Sequence, residues 1–161
     1  MSLKTQDLFD VSNKVVVVTG GSRGIGEMIT SGFLANNSKV YITARKEEAL
    51  VKKAEELSQK YSCECIPVSG DISNSEGIDA LVNFLNDAEP EGIDFLINNA
   101  GAAWGANYDD FPESGWDKVI DLNLKTPFFL TQKLTPLLEK KGTTEDPSRA
   151  VSYTHLTLPT I

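Results

Sequence analysis

Four glycines fall within Thr19-Gly20-Gly21-Ser22-Arg23-Gly24-Ile25-Gly26, directly behind a run of β-branched residues. Glycines at this spacing suit the holding of a pyrophosphate: backbone amides must come close and aim at it from a helix N-terminus, which larger side chains would obstruct. Gly20, Gly24 and Gly26 fill the positions of closest approach, and Ser22, Arg23 and Ile25 complete the candidate cofactor turn. The rival reading is a tight strand-to-helix turn with no ligand; the setting, between a buried strand and a helix, favours the ligand. Charge then addresses which nucleotide. A free ribose 2′-hydroxyl is held by an acid at the end of the second strand, whereas a 2′-phosphate calls for arginine. That region reads Thr43-Ala44-Arg45-Lys46, with no acid before Glu47, and Arg23 can approach the same phosphate from the glycine turn. Arginine's planar fork suits phosphate and keeps its charge. NADP(H) is therefore the expected cofactor rather than NAD(H). The alternative for Arg45 and Lys46 is a solvated helix start, where the helix dipole disfavours cations.

These residues need a scaffold, and the hydrophobic pattern supplies one. Residues 14–19 (KVVVVT) read as a strand buried on both faces of a parallel sheet. Met28, Ile29, Phe33 and Leu34 then recur at helical spacing until Asn36-Asn37, and residues 39–43 (KVYIT) make a second strand, closing one βαβ unit. Residues 46–60 read as a helix, 63–69 as a strand, 74–88 as a helix and 93–98 (IDFLIN) as a fourth strand. A loop through Trp104, Gly105 and Tyr108 follows. Ser114 is the expected N-cap of a last helix reaching about Leu138, with a bend at Pro127, and residues 142–149 are a polar connector. Strands alternating with helices predict one domain with a doubly wound parallel α/β sheet of the Rossmann kind, truncated after about four strands.

The 161 residues are 40% hydrophobic and 24% charged with a net charge of −8, which argues against nucleic acid or an anionic membrane as partner. Residues 1–13 hold no apolar run of signal length, and no stretch has the roughly 20 apolar residues of a membrane span. A cytoplasmic location is expected. Cys63 and Cys65 fall in a strand-like segment and are expected as free thiols on opposite faces. No metal site is expected, because a zinc site needs two more ligands and the sole histidine is His155.

The TGxxxGxG turn together with Asn98-Asn99-Ala100-Gly101 resembles the short-chain dehydrogenase/reductase family, over residues 14 to about 149. Within it, Gly101-Ala102-Ala103-Trp104-Gly105-Ala106 and Ser114-Gly115-Trp116 are most similar to the rhamnolipid-type 3-oxoacyl-[acyl-carrier-protein] reductases. The resemblance implies that Asp71 and Ile72 contact the adenine and that Asn99 contacts the adjoining ribose. Asn123 would be the helix asparagine that holds a water relaying protons to a catalytic lysine. It also implies a small-molecule or acyl-thioester ketone substrate, and a homotetramer of the full-length parent built on the last helix, where Phe128, Phe129 and Leu130 are apolar. Burial of that face within one subunit is the alternative. Trp104 and Trp116 have packing as theirs.

The family's proton donor is a tyrosine four residues before a lysine, beside a serine. Tyr41, Tyr61 and Tyr108 have no lysine at that distance, and Tyr153 is followed there by Thr157. The last eleven residues, 151–161 (VSYTHLTLPTI), match the translation of a transposase-type sequencing-library adapter, with Ala150 as the hybrid codon at the join. On this reading residues 1–150 are the NADP-binding part of one reductase domain, 151–161 are a non-native tail, and Ser152 and Tyr153 carry no chemistry. The parent would reduce a 3-oxoacyl thioester or similar ketone with NADPH, and this chain would be an inactive fragment with an exposed fourth-strand edge. The alternatives are an NADP-sensing module without turnover and an inert fragment.

Overall fold

A computed structural model describes residues 9–152; residues 1–8 and the part of the expected tail at 153–161 lie outside the described residues. Five parallel strands, β1 (Val15–Thr19), β2 (Lys39–Ala44), β3 (Cys65–Ser69), β4 (Phe95–Asn98) and β5 (Arg149–Ser152), form one sheet in the order β3-β2-β1-β4-β5. The helices α1 (Gly24–Ala35), α2 (Glu47–Tyr61) and α3 (Ser75–Ala88) are the crossovers. A longer helical stretch follows β4: α4 (Glu113–Ile120), a π-helical turn (Asp121–Lys125) and α5 (Thr126–Lys141).

The valines of β1 explain the layering. Successive strand residues point to opposite faces, so Val16 and Val18 enter one core with Leu34 of α1 and Leu50, Ala54 and Leu57 of α2. Val15 and Val17 enter the other with Leu81 and Leu85 of α3 and Leu130, Leu134 and Leu137 of α5. This is the expected doubly wound sheet, covered by helices on both faces.

Several local expectations shift. Asn74 caps α3 by accepting the Gly77 amide at 2.8 Å. The last helix starts one residue before Ser114, with Pro112 as its N-cap. Cys63 and Cys65 are free thiols, but both pack against the α1–α2 core, Cys65 from the start of β3 and Cys63 from the bend before it; the strand begins two residues later than expected, and even in a continuous strand positions two apart share a face.

The sheet also carries one strand more than the four expected. Asn98 pairs with Ser152 and Leu96 with Ala150, so β4 is flanked on both sides. Backbone groups alone make such a ladder, and β5 needs little from its side chains: all four residues are exposed. The connector is fastened instead at its base. Lys14 pairs with Asp94 at 3.3 Å and also with Asp146, while the Arg149 amide donates to the Asp94 carbonyl at 2.9 Å. Among the described residues no helix is long and apolar enough to cross a membrane.

Tyr41 supplies a pH test of the packing. Its ring is buried and its hydroxyl donates to Glu89 at 2.5 Å, while Lys39 reaches the same carboxylate at 2.8 Å. Burial first, and the Glu89 bond second, push the phenol up to about 12. The folded state therefore keeps a proton that the unfolded chain releases near pH 10, so stability is full below pH 10 and declines as pH rises to about 12. Cys65, pushed up to about 12 mainly by burial, acts in the same direction. Thermal unfolding from pH 9 to 12 is expected to show this decline, shallower in Tyr41→Phe, which leaves the part of Cys65 and of the lysines whose ion pairs raise them, Lys39 with Glu89 foremost.

Candidate functional site

In an open parallel sheet, ligands bind outside the carboxyl ends of the strands where the strand order reverses. That place is between β1 and β4. Thr19, at the end of β1, turns its hydroxyl across the gap and accepts the amides of Asn99 at 3.0 Å and Ala100 at 2.9 Å. The Asn99 side chain answers by donating to the carbonyls of Thr19 at 2.9 Å and Gly20 at 3.3 Å. The glycine turn is thus clasped to the Asn-Asn-Ala-Gly loop. The clasp needs glycine: Gly20 has φ +66°, and a Cβ on Gly26 would lie 2.1 Å from the Gly20 carbonyl oxygen and 2.5 Å from Asn99 Nδ2. Gly24, with φ +56°, faces open space instead.

Arg23 is the extended N-cap of α1 and uses no side chain to cap it. The first-turn amides of a helix have no partners within the helix, and those of α1 start at this crevice beside exposed Arg23 and Ile25 and half-buried Ser22. Arg45 and Lys46 are exposed just past β2, and neither arginine has an ion pair among the described residues. Asp71, just past β3, accepts the Ser73 amide at 3.1 Å. The Ser73 hydroxyl first, its amide next and the charge of Arg45 last hold the Asp71 carboxyl below the usual range. Ile72 is buried and its carbonyl accepts the Thr126 hydroxyl at 2.7 Å.

Asn123 is buried in the π turn and grips the backbone of Ala102 from both sides, accepting its amide at 2.7 Å and donating to its carbonyl at 2.9 Å. Gly101 passes close by; a Cβ there would lie 3.3 Å from Asn123 Oδ1. Pro127 is the reason for the widened turn. It offers no N–H to the Asn123 carbonyl, and Thr126 donates instead to Asp121, five residues back. The expected bend therefore takes the form of an inserted residue.

The structure thus gathers Gly20, Ser22, Arg23, Gly24, Ile25, Gly26, Arg45, Lys46, Asp71, Ile72, Asn99, Ala100 and Gly101 at one end of the sheet. Asn98 is the exception, 2% exposed and donating to Thr131 of α5 at 3.0 Å. The residues the sequence reading missed are Thr19 and Thr126; a hydroxyl at a strand end, just before the glycines, was the available signal for the first. Trp104 lies on Gly115, where an added Cβ would meet its ring at 2.6 Å, while Trp116 is 61% exposed.

A doubly wound sheet whose glycine turn is clasped to an Asn-Asn-Ala-Gly loop at the switch point defines a dinucleotide-binding domain. The model of the short chain dehydrogenase family matches residues 14–145, and the chain belongs to that family. It is 40% identical over 144 residues to the rhamnolipids biosynthesis 3-oxoacyl-[acyl-carrier-protein] reductase of Pseudomonas aeruginosa, covering 89% of this chain and 55% of that protein. Among solved structures it resembles the RhlG/NADP active-site complex of Pseudomonas aeruginosa, with TM-score 0.85, 39% identity, and coverage of 89% of this chain and 55% of that one. It also resembles the L-sorbose reductase of Gluconobacter frateurii complexed with NADPH and L-sorbose, with TM-score 0.78, 29% identity, and coverage of 83% and 51%. The chain spans about half the length of the curated relatives it matches.

Proposed function

We propose that residues 1–150 are the NADP(H)-binding half of a short-chain carbonyl reductase whose parent protein reduces a 3-oxoacyl thioester or similar ketone to the alcohol. The observation that carries this reading is the clasp of Thr19 and Asn99 around Gly20 and Gly26, which leaves Gly24 and the first turn of α1 open at the switch point. The cofactor fits this cradle, and when bound it supplies hydride to the carbonyl. The first-turn amides of α1 would hold the pyrophosphate. Arg23, Arg45 and Lys46 would face the 2′-phosphate, Asp71 and Ile72 would wall the adenine, and Asn99 would meet the ribose. Asn123 fixes the loop at Ala102 and would hold the water that relays protons to the parent's lysine.

Turnover needs a proton donor, and this sequence has no tyrosine with a lysine four residues on. The chain by itself is therefore read as binding without reducing. Reading residues 151–161 as non-native rests on the adapter match. Sequencing the source gene across codon 150 decides it: native DNA running on to a serine and Tyr-x-x-x-Lys supports the reductase, whereas a genome that encodes VSYTHLTLPTI favours an NADP-sensing module. The missing tyrosine pair is what keeps that second reading in view.

A cytoplasmic enzyme acting on a small or acyl-thioester substrate, without nucleic acid or membrane partners, goes with the proposal. So does a homotetramer of the full-length parent: Trp116 of α4, Leu124 of the π turn and Phe128 of α5 are 61%, 57% and 62% exposed, whereas Leu130 is buried. Titrating the folded chain with NADPH and NADH tests the core of the reading. Saturable NADPH binding, at least about 10-fold tighter than NADH, is expected without oxidation by a 3-oxoacyl thioester. No NADPH binding by folded chain would overturn the cofactor assignment, and turnover would overturn its inactivity.

A further inference from the structure

Two loops wall the crevice, one after β3 at Asp71-Ile72 and one after β4 at Ala100 to Ala102. A single helical turn holds both. Asn123 grips Ala102 with two hydrogen bonds, and Thr126, three residues on at the end of the same widened turn, donates its hydroxyl to the Ile72 carbonyl at 2.7 Å. Thr126 is 3% exposed and Ile72 6%, so water does not compete for this bond. The residue inserted ahead of Pro127 widens the turn between Asn123 and Thr126.

We propose that Thr126 is a positioning residue for the nucleotide: its hydroxyl fixes the Asp71-Ile72 wall against the loop that Asn123 holds, and so sets the width of the crevice. The proposal rests on the cofactor reading above. Valine at 126 keeps the volume but leaves the buried Ile72 carbonyl without its donor, a situation a short loop escapes by moving. Serine keeps the hydroxyl.

The test measures binding of NADPH and of 2′,5′-ADP, which carries the adenine side alone, to the native chain, Thr126→Val and Thr126→Ser. Amide exchange of residues 70–74 and 100–103 is followed in the same proteins without ligand. Thr126→Val is expected to lose about 10-fold in affinity for both ligands and to exchange faster at residues 71–73, with β1 unchanged. Thr126→Ser is expected to stay within about 2-fold of native. Native affinity in Thr126→Val overturns the proposal, and so does an equal loss in Thr126→Ser, which would assign the effect to the methyl group. If Thr126→Val does not fold, Thr126→Cys, a weak donor of similar size, is judged by the same outcomes. If the folded native chain binds neither ligand, it is the cofactor reading that falls; unchanged exchange at residues 71–73 in the variant then overturns the role of Thr126 independently.

Discussion

Gly26→Ala is expected to abolish nucleotide binding and to destabilise the fold at the same time. The added Cβ would sit 2.1 Å from the Gly20 carbonyl oxygen and 2.5 Å from Asn99 Nδ2, and neither is the free end of a flexible side chain. The Gly20 carbonyl belongs to the turn, and the Asn99 amide is already committed to Thr19 and Gly20. Something must give, and overpacking of this kind costs about 1–3 kcal/mol, more where backbone moves. Denaturant unfolding is expected to register that loss, and NADPH affinity to fall at least about 100-fold, because the first turn of α1 is pushed off the crevice. Gly32 is the matched control on the same helix. Nothing lies within 4 Å of a Cβ there, so Gly32→Ala should stabilise by roughly 0.5–1 kcal/mol through helix propensity and leave binding intact. Native-like binding in Gly26→Ala would mean that the clasp is not the cradle.

Arg45→Ala is expected to remove cofactor discrimination more than cofactor binding. Arg45 stands exposed past β2 without an ion pair among the described residues, and it contributes to the low carboxyl of Asp71 opposite. A charge-assisted contact to phosphate is worth about 1.5–3 kcal/mol, so NADPH affinity should fall about 10- to 100-fold while NADH, which offers no 2′-phosphate, is unaffected. Arg23→Ala should act in the same direction, and the double variant, with Lys46 alone left for the 2′-phosphate, should discriminate least between the two nucleotides. Added salt should weaken NADPH more than NADH in the native chain, and this difference should shrink in the double variant. An equal loss for both nucleotides in Arg45→Ala would assign the arginine to the fold instead.

How much of this was legible in the sequence depends on the range of the interaction. The KVVVVT run, the glycine turn and the helical stripes are local patterns, and the fold follows them closely. Arg23 and Arg45 could be proposed for the 2′-phosphate because both are exposed and have no ion pair among the described residues. Thr126 could not: its function depends on the Ile72 carbonyl, 54 residues away. The form of the bend near Pro127 was hidden as well, since a missing N–H can be met by a kink or by an inserted residue, and only the packing of Asn123 against Ala102 selects the second. The fifth strand was invisible for a different reason. Residues 149–152 carry no hydrophobic alternation and are all exposed, and their place is set by backbone pairing and by the Lys14 and Asp94 anchor at its base.

The clasp has a consequence for the order in which the molecule comes together. Thr19 and Asn99 are 80 residues apart. A growing chain that has exposed only the first βαβ unit already carries the whole glycine turn, but Thr19 has nothing to receive and Gly20 no amide across the gap. Closing so long a segment comes late, after the local helices and the β1–β2 pairing have formed. A nucleotide that recognises the clasped turn therefore selects chains that have completed this step. Its stabilisation should appear chiefly as slower unfolding, with little change in the rate of folding.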